Sequence, residues 1–336
     1  MIRATAAVFI CLSLSLTVPT EAQQVVYGDT IVEVLGLRSW SPVELEAAVR
    51  RYAPGVSLAS GGCAVILRDS LGFADASVSS YVGLGADTVW VSVRVIEPRD
   101  SALIRYTMAG RAALPIPDRW EPLRRLAANE PGAIGFFQHP EVLLEGVDSI
   151  YGRAVPSAAQ EFRTLLRSYR TEKDFEDALR LLNSSSDMAA RQLAPFVLSN
   201  FLDRAESWHS LVDGMRVAPD YAGGASRIVF SAASRTGRFK LEWTGATESL
   251  EALVGGTNLF SYDELLRGLV DTGIEPQLAR KLALQNPALM ADHAASSNRM
   301  VRHPAARFLQ HAGAPDFGSD RAAWLNWIEA LRRSGD

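Results

Sequence analysis

Five histidines, His139, His209, His293, His303 and His311, are the first residues to test for metal or acid–base chemistry. None sits in a His-Glu-x-x-His arrangement or another ligand spacing. His303 and His311 could share a helical face, but a surface or helix-capping histidine is the plainer assignment. Asp292 beside His293 is too common a pairing to define a dyad. The triplet at Asp316–Gly318, "DFG", holds magnesium in protein kinases. Here no Gly-rich loop, Val-Ala-Ile-Lys or His-Arg-Asp precedes it, so it is expected to be a turn before the last helix. Asp320 should cap that helix, with Trp324, Trp327 and Leu331 packing inward. There is no Gly-x-Ser-x-Gly elbow and no Walker-type lysine, and "GGC" and "GLGAD" lack the following helix of a phosphate loop. The carboxylate pairs Glu44/Glu46 and Asp174/Glu176 fall on helix faces expected to be solvated. Catalytic carboxylates can also come from distant segments, so a hydrolase site assembled that way stays open. Two residues are singled out for binding a partner, Trp90 and Arg94. They share one face of a predicted strand, where Trp90 is either exposed or covered by a helix.

No residue is therefore assigned to catalysis, to a metal or to a cofactor, and no cofactor is expected. The chain has 336 residues, 48% hydrophobic and 21% charged, with a net charge of −4. Length suggests roughly two domains, and the acidic balance argues against nucleic acid or an anionic membrane surface as partner. Residues 1–22 have the layout of a signal peptide. Arg3 is the positive end, Ala6 to Val18 the apolar run, Pro19 the break, and Thr20 and Ala22 the small residues of a cleavage site. No later run has the length of a transmembrane helix. Cys11 would leave with that segment, so Cys63 could form no intrachain disulfide. Among "GGCAVIL" it is expected to be a small buried hydrophobe.

The elements that must position these residues begin with "DTIVEVLGLRSWSPVELEAAVRRYAPG". Alternation over Ile31–Leu35 predicts a strand ended by Gly36. Ser41 and Glu44 form a capping box with Pro42 at the first helical position, and Pro54 and Gly55 stop the helix. A second helix is expected over 63–71, then strands over 72–84 and 87–98 joined by the hairpin turn "GLGAD". In the last strand Val89, Val91, Val93 and Val95 point one way and Trp90, Ser92, Arg94 and Ile96 the other. "SALIRYTMAG" could add a further strand. With "VEVLGLRSWSPVEL", "LGFADASV" and "VWVSVRVIEP" in a β-α-α-β-β order, residues 23–110 resemble the POTRA domain family of bacterial cell envelopes. Phe73 stands in the family's Tyr place and Pro98 where a Gly is common. The resemblance implies a small α+β domain whose open sheet edge can accept a partner strand.

The Pro-rich residues 111–155 are expected to be a linker with short helices. From Pro156 to the end the pattern is helical, with caps at Thr171 and, as a second box, Ser261 with Glu264. "SSSDMAARQLAPFVLSNFLD" and "SSNRMVRHPAARFLQHAG" share a Ser-rich start, an Arg, an Ala row and an internal Pro. They resemble HEAT-like repeats, as does the terminal "GAPDFGSDRAAWLNWIEAL". That implies an all-α array over 156–336 with an extended surface for binding. The expected fold class is an α+β N-terminal domain followed by an all-α helical array. The expected role is a periplasmic or secreted scaffold binding another envelope protein or a peptide, with an exported hydrolase or an accessory factor in outer-membrane protein traffic as alternatives.

Overall fold

A computed structural model describes residues 23–82, 88–139, 141–150, 152–218 and 220–334. The expected leader and the "GLGAD" turn lie outside the described residues. The first unit is a four-stranded sheet, β1 (Gln24–Tyr27), β2 (Thr30–Leu35), β3 (Asp75–Val82) and β4 (Val89–Ile96), with α1 (Pro42–Tyr52) and α2 (Cys63–Asp69) between β2 and β3. Its order is β1-β2-β4-β3. β2 and β4 run parallel in the centre, and the outer pairs are antiparallel. The capping box of α1 forms as expected, Ser41 and Glu44 each taking the other's backbone N–H. The valine face carries Val32, Val34, Val91, Val93 and Val95, which pack with Leu45 and Val49 of α1 and Cys63 and Leu67 of α2 into one core cluster. Alternation along the strands produces this directly, since every second side chain leaves the same face. Cys63 is a buried free thiol, and burial pushes it up to about 12.

The chain then departs from the further strand expected over 101–110. Residues Pro98–Leu103 form a 3₁₀ turn, and only β5 (Thr107–Met108) is extended, away from the main sheet. Nor is 111–155 a separate linker. It holds α3 (Glu121–Asn129), α4 (Pro131–Gly135) and the small hairpin β6 (Ser149–Ile150) and β7 (Arg153–Ala154). Its Trp120, Leu123, Phe137 and Val142 are buried in the main core with Phe162 and Phe196 from the helical region. The aromatic residues scattered along this irregular stretch turn its short pieces into a wall of that core.

The helical region comprises α5 (Ser157–Leu166), α6 (Glu172–Ser184), α7 (Met188–Leu198), α8 (Ala205–Met215), β8 (Val217–Ala218), α9 (Gly224–Ser234), α10 (Thr247–Gly255), α11 (Tyr262–Asp271), α12 (Pro276–Ala283), α13 (Pro287–Ala295), α14 (Arg299–His311) and α15 (Arg321–Ser334). The short β8 pairs in parallel with β5. Helices alternate between two layers. α6, α8, α10 and α12 pack in succession in one, and α7, α9, α11 and α14 in the other.

The two similar stretches begin in the same way. The Ser185 hydroxyl accepts the Asp187 N–H at 3.0 Å, Asp187 accepts the Ala190 N–H at 2.9 Å, and Arg191 Nη1 donates to the Ser185 carbonyl at 3.3 Å. Ser296, Asn298, Met300 and Arg302 make the corresponding bonds at 3.1, 3.0 and 3.3 Å, except that Asn298 accepts the N–H two residues on where Asp187 accepts it three residues on. The second expected capping box does not form. Ser261 donates to the Asn258 carbonyl, and Glu264 pairs with Arg227.

Gly36 ends β2 for a reason the turn makes plain. Its φ is +93°, and a Cβ there would stand 2.1 Å from the Val95 carbonyl oxygen. Gly28 also has positive φ, +56°, but open space around it. Gly36→Ala is therefore expected to lose at least about 3 kcal/mol in urea denaturation, against about 1 kcal/mol for Gly28→Ala. Equal losses would contradict the close approach.

Candidate functional site

The second face of the sheet carries Glu33 on β2, Ser77, Ser79 and Tyr81 on β3, and Ser92 and Arg94 on β4, a polar row next to the valine face. Helices α11 and α13 close over it. Arg94 lies at the centre. Its Nε donates to His293 Nε2 at 3.2 Å, Nη1 to the Ser79 hydroxyl at 2.9 Å, and Nη2 to the Tyr81 hydroxyl at 2.6 Å. Nη2 also forms a short ion pair with Asp263 from the first turn of α11. Tyr81 donates its own proton to the same carboxylate at 3.2 Å. His293 Nδ1 faces the Leu289 carbonyl at 2.9 Å, one turn back along α13. Nδ1 therefore carries the proton and Nε2 accepts from Arg94. The Tyr262 ring packs 4.5 Å from the imidazole.

Burial governs the electrostatics. Arg94, Asp263 and His293 are 2%, 6% and 0% exposed. Burial, then the Arg94 charge, holds the imidazole down at about 3. Burial pushes the Asp263 carboxyl upward, opposed by Arg94 and the Tyr81 hydroxyl. The Tyr81 hydroxyl is pushed up to about 12, again by burial.

A second layer of contacts surrounds this centre. Asp292 accepts the Gly36 N–H at 2.8 Å and pairs with Arg321 of α15. Glu33 accepts the Ser297 N–H at 2.9 Å and the Ser296 hydroxyl, fastening the start of α14 to β2. Glu97, just past β4, accepts the N–H groups of Arg38 and Ser39 at 2.6 and 2.8 Å. Burial alone would raise Glu97, but the Ser39 and Arg38 hydrogen bonds outweigh it and hold the carboxyl below its usual range.

Of the two residues singled out from the sequence, Arg94 is not available to a partner, because its donors are consumed inside the chain. Trp90 is half-buried on the same face of an inner strand, between Ile31 and Tyr81. His293, given no role from the sequence, is the buried acceptor for Arg94. Of the carboxylate pairs expected on solvated faces, Glu44 and Glu176 are exposed, and the other member of each pair is not. Glu46 accepts the Leu58 N–H, and Asp174 is buried beneath Trp120 and Arg119. Glu33, Glu97, Asp263 and Asp292 were missed as a group. They come from four separated segments, and the only sequence signal was the polar face of the strands.

No group of three or more His, Cys, Asp or Glu side chains placed to hold a metal occurs among the described residues. A cleft of about 290 Å³ beside the junction is lined by Gln24, Glu33, Asp292, Ser296, Ser319 and Arg321. Glu33 and Asp292 thus share a cavity, but each has both carboxylate oxygens engaged. Comparison with protein-family models, curated proteins and solved structures finds no match to this chain.

Two outcomes follow from the junction. Arg94→Met and Asp263→Leu should each cost about 3–5 kcal/mol in denaturant unfolding, because each strands a buried charge, and the double variant should recover much of that loss. Additive losses would mean the pair is not coupled. The ordinary value for His293 is 6.5, so between 6.5 and about 3 the unfolded chain binds a proton that the folded chain refuses. Its contribution is full above pH 6.5 and falls with pH, by about 2 kcal/mol at pH 5. His293→Gln should flatten that part of the pH–stability curve, and an unchanged slope would refute the assignment.

Proposed function

We propose that the chain is a non-enzymatic scaffold of the bacterial cell envelope that binds a protein or peptide on the outer surfaces of two rigidly joined modules. The observation that carries this is the separation of ionisable from exposed apolar groups. The groups with catalytic character are sealed between sheet and helices and bonded to one another. Exposed apolar side chains stand on the outside of α1, where Val43 is 71% and Tyr52 58% exposed. A shallow groove of about 510 Å³ runs beside them, lined by Ser39, Trp40, Ala47, Arg51, Tyr52 and Leu71. Aromatic and arginine side chains around an apolar groove are the usual anchors of a protein contact.

The sheet edge is a narrower candidate. The sheet has two outer strands, β3, whose Ala76 carbonyl is covered by Arg68, and β1, of four residues, and either edge could take an added strand. The leader-like layout of residues 1–22 supports an envelope location, and no helix among the described residues is long and apolar enough to cross a membrane. An accessory factor in outer-membrane protein traffic is a special case of the same role. The cleft shared by Glu33 and Asp292 is the feature that favours an exported hydrolase instead, and the engagement of both carboxylates weighs against it.

Photo-crosslinking residues placed at Tyr52 and at Met300, the latter 54% exposed on α14, should each capture a discrete envelope protein in cells. Val43→Glu should abolish capture at Tyr52 without changing stability. Failure to capture at both sites, together with hydrolysis by the purified chain that Glu33→Gln or Asp292→Asn abolishes, would reverse the assignment.

A further inference from the structure

A second cleft, of about 340 Å³, lies on the helical side of the molecule, remote in sequence from the junction. Thr107 and Met108 of β5, Asn183 of α6, Arg191 of α7, Asp213 of α8 and Ser249 of α10 are among its lining residues. Most of its polar groups are occupied. Arg216 donates to the Arg105 carbonyl, the Ser249 hydroxyl and Glu248. Asp213 accepts from Ser249 at 2.5 Å. Arg191 differs. It is 1% exposed, and its Nε and Nη2 have no hydrogen-bond partner. It forms no ion pair among the described residues, and burial alone, with no carboxylate to oppose it, pushes its guanidinium down.

An unpaired buried cation is unfavourable, and a position in the first turn of α7 adds the adverse end of the helix dipole. The local turn does not require this burial. Arg302 makes the same bond to a serine carbonyl in the second copy of the turn, yet remains half-exposed. Of the two, Arg191 is the one that lines this cleft.

The unused donors are also the right pair. Nε and Nη2 form the side-on edge of the guanidinium, which grips both oxygens of a planar carboxylate. Arg124 uses this same edge on Glu121, at 2.6 and 2.7 Å. The cleft already sets Asp213 and Glu248 against Arg191 and Arg216, so its lining charges balance and every negative charge a ligand brings beyond the one Arg191 grips is unfavourable. That favours a monoanion over a phosphate dianion. The volume is at the low end for small-molecule sites. We propose that this cleft binds the carboxylate of a small organic monoanion through the side-on edge of Arg191.

The test is thermal-shift titration and calorimetry on the full chain with benzoate, neutral benzamide and inorganic phosphate, at constant ionic strength. Benzoate should give a saturable stabilisation that benzamide and phosphate do not. Arg191→Met should weaken benzoate on the order of 30-fold, and Arg302→Met should leave it unchanged. Asn183→Trp, which fills the cleft from an exposed position, should abolish binding with little effect on stability and keeps the test open if Arg191→Met does not fold. Equal responses to benzoate and benzamide, phosphate binding as well as benzoate, or full benzoate binding by Asn183→Trp would each overturn the proposal.

Discussion

The Arg94–Asp263 pair is the contact on which the two halves of this protein depend. It joins the middle of an inner strand to the first turn of a helix far along the chain, in a space closed to water. A buried ion pair contributes little net stability compared with an apolar replacement, because desolvation offsets the Coulomb attraction. What it does supply is selectivity of fit. A guanidinium fork with fixed acceptors in Ser79, Tyr81, Asp263 and His293 accepts one position of the helices over the sheet, whereas an apolar face would tolerate several. The surrounding contacts from Glu33, Asp292 and Glu97 repeat this logic at the margins, where carboxylates accept backbone N–H groups at a strand, a glycine turn and a helix start.

The consequence for function is a division of surfaces. The sheet has an apolar face under its own helices and a polar face under the distant ones, so neither face is left for a partner. In the scaffold role proposed above, the surfaces that remain for a partner are the outside of α1, the short edge strand β1 and the surface of the two-layered array. In that array helices pack both on their sequence neighbours and on later helices in the same layer.

Much of this was legible in the sequence. The β-α-α-β-β run from β2 to β4, the capping box at Ser41 and Glu44, the valine face of β4 and the Asp320 cap all rest on local rules of period and capping and appear where those rules put them, while the first strand β1, at the edge of the sheet, was not expected. The common turn before α7 and α14 was visible as a shared Ser–Met–Arg pattern. Other parts were not legible. Ser261 and Glu264 have the spacing of a box, but Glu264 found Arg227 on a neighbouring helix, a long-range competitor that no local pattern announces. The residues around Trp120 and Phe137 look like linker because their prolines and glycines break every period. Only the space between helices shows that their aromatics are core.

The sequence by itself determined the elements and which side chains leave each strand on which face, since those follow from dihedral preferences and a period of two or of 3.6. Arg94 was placed correctly on its strand by that reasoning. Whether it would meet solvent, a partner or the rest of the chain was decided only by the tertiary structure. Burial and ion pairing are properties of what packs from elsewhere, and α11 and α13 come from residues more than a hundred and fifty positions away.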